Sequence, residues 1–135
     1  MITADSSVWI DYLAGRSTPK SQLLDEVLDD SSRDVVLLDV VLMEVLRGFR
    51  FEHEYKLANQ VLSALQLRTA GGDAVARSAT ALYRQLRKEG VTVRSPIDLL
   101  VGSWCISVGC ALIHNDRDFA PMAPHGLQAF EAQHP

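Results

Sequence analysis

Short apolar runs alternate along this chain with longer segments in which apolar residues recur at helical spacing. The runs at 1–4, 35–38 and 111–114 have the length and composition of strands that are buried on both faces. Helical segments are predicted at 6–13, 19–30, 41–49, 52–65, 73–89 and 96–108. Strands that alternate with helices predict right-handed crossovers and a mostly parallel sheet between helical layers. The fragment 127–130 is compatible with an additional edge strand.

Length and composition narrow the class of protein. A chain of 135 residues that is 47% hydrophobic and 22% charged is expected to form one domain, residues 1–135. No stretch has the roughly 20 apolar residues of a spanning helix, and residues 1–5 lack the pattern of a signal peptide. We therefore expect a cytoplasmic protein without membrane contact. Two cysteines, Cys105 and Cys110, are too few for a disulfide framework and lack zinc-site spacing.

Carboxylates follow the predicted strands. Asp5 comes after the first strand, Glu44 lies just beyond the second, and Asp116 and Asp118 follow the third, while Asp98 opens the helix that leads into that third strand. The carboxyl ends of parallel strands meet at one edge of a sheet, which is where ligands bind in open α/β folds. Five carboxylates at one edge repel each other unless a cation neutralises them. The sequence thus predicts a divalent metal site.

The ligand types indicate which metal the site would hold. Oxygen ligands favour Mg²⁺ or Mn²⁺, and no Cys or His lies near these acids at the spacing of a zinc site. Such an ion lowers the pKa of a bound water and offsets charge on a phosphodiester under attack. The chain shows no Ser-His-Asp triad or glycine-rich phosphate loop that would indicate other chemistry. One-metal and two-metal mechanisms both remain open.

Each carboxylate also has an ordinary structural interpretation. Asp5 could cap the first helix, Glu44 could pair with Arg47 across one helical turn, and Asp98 could complete a capping box with Ser95. The two aspartates of the last loop are common turn residues. The joint placement of all five at one sheet edge is what favours a metal site.

Four segments carry a family resemblance: Ala-Asp-Ser-Ser-Val-Trp-Ile at 4–10, Val-Leu-Met-Glu-Val-Leu-Arg-Gly at 41–48, Pro-Ile-Asp-Leu-Leu-Val-Gly at 96–102, and Leu-Ile-His-Asn-Asp-Arg-Asp-Phe at 112–119. In this order and spacing they resemble the PIN-domain family and, within it, the VapC ribonuclease toxins of bacterial type II toxin–antitoxin systems. The resemblance covers nearly the whole chain. It implies a three-layer α/β/α sandwich whose central sheet has four to five mostly parallel strands, and a Mg²⁺- or Mn²⁺-dependent endoribonuclease that hydrolyses RNA with a metal-activated water.

The resemblance also assigns roles to particular residues. It implies that Asp5, Glu44, Asp98 and Asp116 are the catalytic, metal-binding quartet and that Asp118 is a more variable fifth ligand. Ser6 or Ser7 would orient a water or a metal-bound ligand near the first aspartate. It further implies a homodimer, and an inhibitory VapB-type antitoxin that builds a higher assembly with the toxin.

The chain departs from the VapC pattern at two places. Gly102-Ser103-Trp104 stands where alanines are frequent in the family, which should alter helix packing and leave the site in place. The segment 39–41, which leads toward Glu44, lacks the Ser or Thr that is often found there, so a supporting hydrogen bond from that position is in doubt.

The formal net charge of −4, which by itself argues against a nucleic-acid partner, hides an uneven distribution. Residues 46–97 carry nine basic and four acidic residues, whereas both flanks are acidic. A basic region beside an acidic metal site suits a polyanion whose phosphate must reach the metal. The candidate RNA contacts are Arg47, Arg50, Arg84 and Arg117.

Two other functions fit part of the pattern. A PIN-like module could bind RNA or protein without catalysis, and a cleavage assay with a chelator control would separate it from a nuclease. A receiver-like domain would bind Mg²⁺ and accept a phosphoryl group. That fold needs a lysine after a late strand, but the last lysine here, Lys88, precedes the late strand.

Overall fold

The computed structural model describes residues 1–115 and 117–132. Five strands, six α-helices and a 3-10 helix form within these residues: β1 Ile2–Ala4, α1 Ser6–Leu13, α2 Pro19–Asp29, β2 Val36–Leu38, α3 Asp39–Arg47, α4 Glu52–Ser63, β3 Gln66–Arg68, α5 Gly72–Lys88, α6 Pro96–Val108, β4 Ala111–Ile113, the 3-10 helix Ala120–His125, and β5 Gln128–Ala129. Every segment predicted from periodicity is present, with bounds that differ by a few residues at most. Two elements were not predicted, β3 and the 3-10 helix.

All strand pairs are parallel, as predicted, but the strands do not form one sheet of four to five. Three of them form a sheet in the order β1-β4-β5, and β2 pairs with β3 in a second sheet of two strands. The bridge from Ile2 to Val35 and the hydrogen bond from the Thr3 hydroxyl to the Val36 carbonyl at 2.7 Å join the two sheets. Strand β2 has three residues and passes directly into α3 at Asp39. The prediction of the strand count in one sheet was therefore wrong by one or two.

Helices pack together around these sheets and bury a continuous apolar core. Helix α1 contacts α2 and α3, α3 contacts α4 and α6, and α5 lies along α6. Trp9 of α1 is completely buried, and its ring meets the Tyr12 ring edge-on at 5.8 Å. Leu24 of α2 and the β2 residues Leu37 and Leu38 belong to the same core. None of the helices within the described ranges is long and apolar enough to cross a bilayer.

The pairing of β1 with β4 brings the carboxyl ends of two strands to the same edge. Ala4 is in register with Ile113, and the Asp5 amide donates to the Ile113 carbonyl at 3.0 Å. Helix α6 precedes β4 and ends at Gly109, whose φ of +71° lies in the left-handed region where glycine is favoured. The Cys110 amide then donates to the Cys105 carbonyl at 3.0 Å. This turn reverses the chain, so the start of α6 lies at the edge where β4 ends.

Candidate metal centre

Asp5 is held at the junction of β1 and α1. It is the N-cap residue of α1, but its side chain makes no capping hydrogen bond, so the simple capping interpretation does not apply. The Ser7 hydroxyl donates to Asp5 Oδ2 at 2.8 Å, and Ser6 approaches Oδ1 at 3.5 Å. Only 3% of Asp5 is exposed. The Ser7 hydroxyl therefore helps to fix the orientation of a buried carboxylate. The role predicted for Ser6 or Ser7 in orienting a water or a metal-bound ligand stays a prediction.

Asp98 enters the site from the first turn of α6. Pro96 occupies the first helical position, where its missing amide costs nothing, and the Ser95 hydroxyl accepts from the Asp98 amide at 3.3 Å. The predicted cap from Ser95 is thus present, and it fixes the backbone of the residue that carries the carboxylate. Asp98 is 7% exposed, which is unusual for an aspartate at a helix start.

Glu44 enters from the middle of α3. Its side chain is half-buried, and within residues 1–115 and 117–132 its Oε1 atom is fully buried without a hydrogen-bond partner. The proposed pairing with Arg47 does not occur among the described ion pairs. A buried carboxylate oxygen without a partner is costly, and a bound cation would offset that cost.

These three carboxylates come together. One oxygen from each of Asp5, Glu44 and Asp98 can be chosen so that all three lie within 4.8 Å of one another. Around a Mg²⁺ ion with ligands at about 2.1 Å, adjacent oxygens are about 3.0 Å apart and opposite oxygens about 4.2 Å apart. The three oxygens therefore need only small movements to ligate one hard cation. Their donor type and the partnerless oxygen of Glu44 both fit such an ion.

The remaining predicted ligands belong to the loop after β4. Asp116 lies outside the described residues. Asp118 is half-buried in the turn that follows, and it is not part of the three-carboxylate group. The loop leads from the edge at which the Asp5 amide donates to the Ile113 carbonyl of β4. The assignment of Asp116 and Asp118 as ligands stays a prediction.

The four candidate RNA contacts are all exposed. Arg47 lies in the last turn of α3, one turn beyond Glu44, and Arg50 lies 5.5 Å from the centroid of the neighbouring Phe51 ring. Arg84 is on α5, and Arg117 follows β4. None of them forms an ion pair within the part of the chain that the structure describes. Their charges are therefore available to a polyanion.

The sequence analysis did not predict the structural roles of two residues, Asp39 and Gly102. The Asp39 carboxylate accepts from the Val40 amide at 2.8 Å and from the Ala70 amide at 3.0 Å, so it supplies an oxygen where Ser or Thr was expected and joins α3 to the segment before α5. Gly102 packs against Met122, and a Cβ at this position would overlap the Met122 sulfur. The glycine that departs from the VapC pattern is thus explained by close packing.

Comparison with known proteins identifies the family. The sequence profile of the PIN domain matches residues 2–123, which is most of the chain. The chain belongs to the PIN domain family. Among curated PIN-domain relatives, the VapC ribonuclease Mb1587 of Mycobacterium bovis and ribonuclease VapC11 of Mycobacterium tuberculosis are each 25% identical over 123 residues. Each alignment covers 91% of this chain and 92% of the relative.

Solved structures with this PIN fold include toxin–antitoxin complexes. VapBC2 from Rickettsia felis, bound to a promoter DNA fragment, superposes with a TM-score of 0.77 at 16% identity and covers 98% of this chain and 100% of its own. DNA-bound VapBC from Salmonella typhimurium gives a TM-score of 0.76 at 17% identity, with coverage of 97% and 98%. At these identities the similarity establishes the fold, which is the PIN-type α/β architecture that the sequence predicted.

Proposed function

We propose that this PIN domain is a Mg²⁺- or Mn²⁺-dependent endoribonuclease. The observation that carries the proposal is the convergence of Asp5, Glu44 and Asp98, with a buried Glu44 oxygen that has no described partner. Three carboxylates this close would repel each other without a cation. A hard divalent ion would offset the repulsion and give the buried Glu44 oxygen a partner. The ribonuclease names of the curated relatives support the same chemistry.

Each residue of the site has a defined task in this proposal. Asp5, Glu44 and Asp98 hold the cation, and Ser7 keeps the Asp5 carboxylate in its orientation through the bond to Oδ2. The bound ion would supply an activated water and charge neutralisation at the phosphodiester. Asp116 and Asp118 complete the ligand set from the loop after β4. The burial of Asp5 and Asp98 limits water at the site, which strengthens every electrostatic interaction there.

The substrate would approach over basic residues. Arg47 and Arg50 lie beyond Glu44 on the α3 side, Arg117 lies in the loop between the two aspartates of the ligand set, and Arg84 lies on α5. Cations beside an acidic centre attract the phosphate backbone while the metal engages the scissile group. The ion pairs of the described chain leave all four charges uncompensated, which supports this role.

We further propose that the protein is the cytoplasmic toxin of a type II toxin–antitoxin system, that it forms a homodimer, and that a VapB-type antitoxin inhibits it in a larger assembly. The similarity to the VapBC2 and VapBC structures supports such a partner. Exposed apolar side chains on and before α4, namely Phe51, Tyr55, Leu57 and Val61, also support a protein partner.

A cleavage assay tests the nuclease. The purified protein is incubated with end-labelled single-stranded RNA in the presence of Mg²⁺, Mn²⁺ or EDTA, and the products are resolved on a gel. We expect cleavage only with the metals, and a loss of at least a hundredfold in Asp5→Asn. Asp29→Asn removes an exposed carboxylate of α2 and should keep full activity. RNA binding without metal-dependent cleavage would instead indicate a binding module.

The toxin assignment needs a separate test. A short protein encoded next to this gene is co-expressed with it, and the mixture is analysed by size-exclusion chromatography with light scattering. A stable complex that no longer cleaves RNA is the expected result. Full activity in the presence of the neighbouring protein would contradict the antitoxin proposal.

A further inference from the structure

Two clefts meet at Tyr83 on α5. One is an apolar cleft of about 390 Å³ between α5 and α6, lined by Ala76, Thr80, Tyr83, Pro96, Leu99 and Leu100. The other is a basic cleft of about 400 Å³, lined by Tyr83, Arg84, Arg87 and Lys88. A half-buried aromatic ring therefore separates an apolar surface from a cationic one.

The cations of the basic cleft are not compensated by acids. Arg84, Arg87 and Lys88 form no ion pair within residues 1–115 and 117–132. The next residue, Glu89, is engaged by Gln85 at 2.9 Å and by His125 at 3.0 Å. Arg84 and Lys88 lie one turn apart on the same side of α5, where like charges destabilise a helix. An anionic ligand would remove this repulsion.

The third cation is organised around the aromatic ring. The Arg87 guanidinium donates to the Tyr83 hydroxyl at 3.1 Å and lies 5.9 Å from the ring centroid. An arginine held against a tyrosine presents two planar surfaces on which a nucleobase can stack. Cations one turn away provide for the phosphates on either side of such a base.

The clefts lie close to the metal centre. Pro96, which lines the apolar cleft, opens α6, and Asp98 follows two residues later. At 3.6 residues per turn, Pro96 and Asp98 point to nearly opposite sides of this first turn. The apolar cleft and the metal centre are thus separated by about the width of one helix, roughly 10 Å. A strand that crosses the start of α6 can reach both.

We propose that these two clefts bind a nucleotide of single-stranded RNA that flanks the cleaved bond. The base would enter the apolar cleft against Tyr83, while Arg84 and Lys88 contact its phosphates. This inference rests on the proposed nuclease function, which implies that the RNA strand runs from the clefts to the metal centre. RNA binding in the clefts does not itself require the metal. A polynucleotide provides both an apolar base face and a charge in every unit, which matches the apolar and the basic cleft.

The stacking of a base on Tyr83 is tested by measuring RNA affinity in EDTA, where no cleavage occurs. The probe is a fluorescein-labelled single-stranded RNA of about twelve nucleotides, and affinity is measured by anisotropy. Tyr83→Leu keeps an apolar side chain but removes the aromatic face, and it should weaken binding at least fivefold, the lower limit for one stacked base. Tyr83→Phe keeps the face and should stay within about twofold of wild type.

The contacts of Arg84 and Lys88 with the phosphates are tested by the salt dependence of RNA affinity. Each phosphate contact with a single strand contributes about 0.7 to the slope of log affinity against log salt concentration. The double variant Arg84→Gln with Lys88→Gln should therefore lower that slope by about 1.4. Lys20→Gln with Arg33→Gln removes the same charge beside the acidic α2 and should leave the slope unchanged.

A second variant keeps the inference testable if Tyr83→Leu misfolds. Ala76→Leu adds a helix-compatible side chain at an exposed position of the apolar cleft, so it should block base entry and weaken binding while the melting temperature stays that of wild type. Unchanged RNA affinity in both Tyr83→Leu and Ala76→Leu would overturn the inference. So would a change of oligomeric state in these variants without a change in RNA binding, because the cleft would then be a subunit interface.

The outcomes also separate this inference from the nuclease proposal. Metal-dependent cleavage with normal RNA binding in all the cleft variants refutes the cleft inference alone. If the wild-type protein cleaves no RNA but the cleft variants bind RNA less tightly, only the nuclease proposal is refuted.

Discussion

Replacing Asp98 by Asn should stabilise the metal-free protein, although it disables the metal centre. The three carboxylates of the centre have oxygens within 4.8 Å of one another. At an effective dielectric constant of about 20, two unit charges at that distance repel by about 3.5 kcal/mol. The substitution removes two of the three repulsions and keeps the size of the side chain. With both pairs taken at 4.8 Å, charge alone would give about 7 kcal/mol before screening by solvent.

Screening by solvent lowers this gain, because Glu44 is only half-buried. We therefore expect Asp98→Asn to gain between about 1 and 4 kcal/mol in EDTA. For a chain of this length each kcal/mol corresponds to about 3–5 °C, so the melting temperature should rise by at least about 3 °C.

Differential scanning fluorimetry in EDTA and in increasing Mg²⁺ or Mn²⁺ measures both effects. Wild type should gain about 2.7 kcal/mol when the free ion exceeds its Kd a hundredfold, and Asp98→Asn should lose most of that response. Asp29→Asn, an exposed carboxylate on α2, should change neither value. A lower melting temperature for Asp98→Asn in EDTA, with an undiminished response to metal, would refute the argument from mutual repulsion.

Three further predictions concern packing and the residues that support the site. Gly102→Ala should cost about 1–3 kcal/mol in urea unfolding, since its Cβ overlaps the Met122 side chain; an unchanged midpoint would contradict this. Asp39→Ala leaves the Val40 and Ala70 amides without an acceptor and should cost about 1–3 kcal/mol, whereas Asp39→Asn, which keeps an oxygen, should cost less. The hydrogen bond from His125, followed by that from Gln85, lowers the pKa of Glu89. Because the pKa is lower in the folded state, the pair stabilises the fold above the ordinary glutamate pKa and stops doing so as the pH falls through the folded value. His125→Ala should raise the Glu89 pKa in an NMR titration, and an unmoved pKa would show that the bond is absent in solution.

The fold could be predicted where buried elements have a regular pattern of apolar residues in the sequence. Strands β2 and β4 are apolar, and β1 is apolar except for the buried Thr3, because these strands are largely covered by other elements. Helix α5 shows a buried stripe that includes Leu82 and Leu86. Strand β3 carries no such pattern, since Gln66 and Leu67 are exposed and its place beside β2 is defined by backbone pairing. The division into two sheets depends on that pairing and could not be predicted from side chains.

The candidate site was predictable for a different reason. Asp5 follows a buried strand, and Asp98 opens a helix that returns to the neighbouring strand, so the connection order alone brings them to one edge. The role of Asp39 could not be predicted, because its acceptor function depends on an amide 31 residues away in the chain. Gly102 signalled a departure from the family pattern, but the contact with Met122 is visible only in three dimensions.

The ligands of the metal centre come from both sides of the boundary between the two sheets, which is called the seam here. Asp5 follows a strand of the three-stranded sheet, whereas Glu44 is carried by the helix that follows β2, and the two sheets are joined through Ile2 and Thr3 of β1. A cation held by Asp5, Glu44 and Asp98 would close loops of about 39 and 54 residues, acting as a removable cross-link across the seam. Loss of the ion would then loosen the two sheets relative to each other, so that metal supply would regulate the cooperativity of the fold as well as its chemistry.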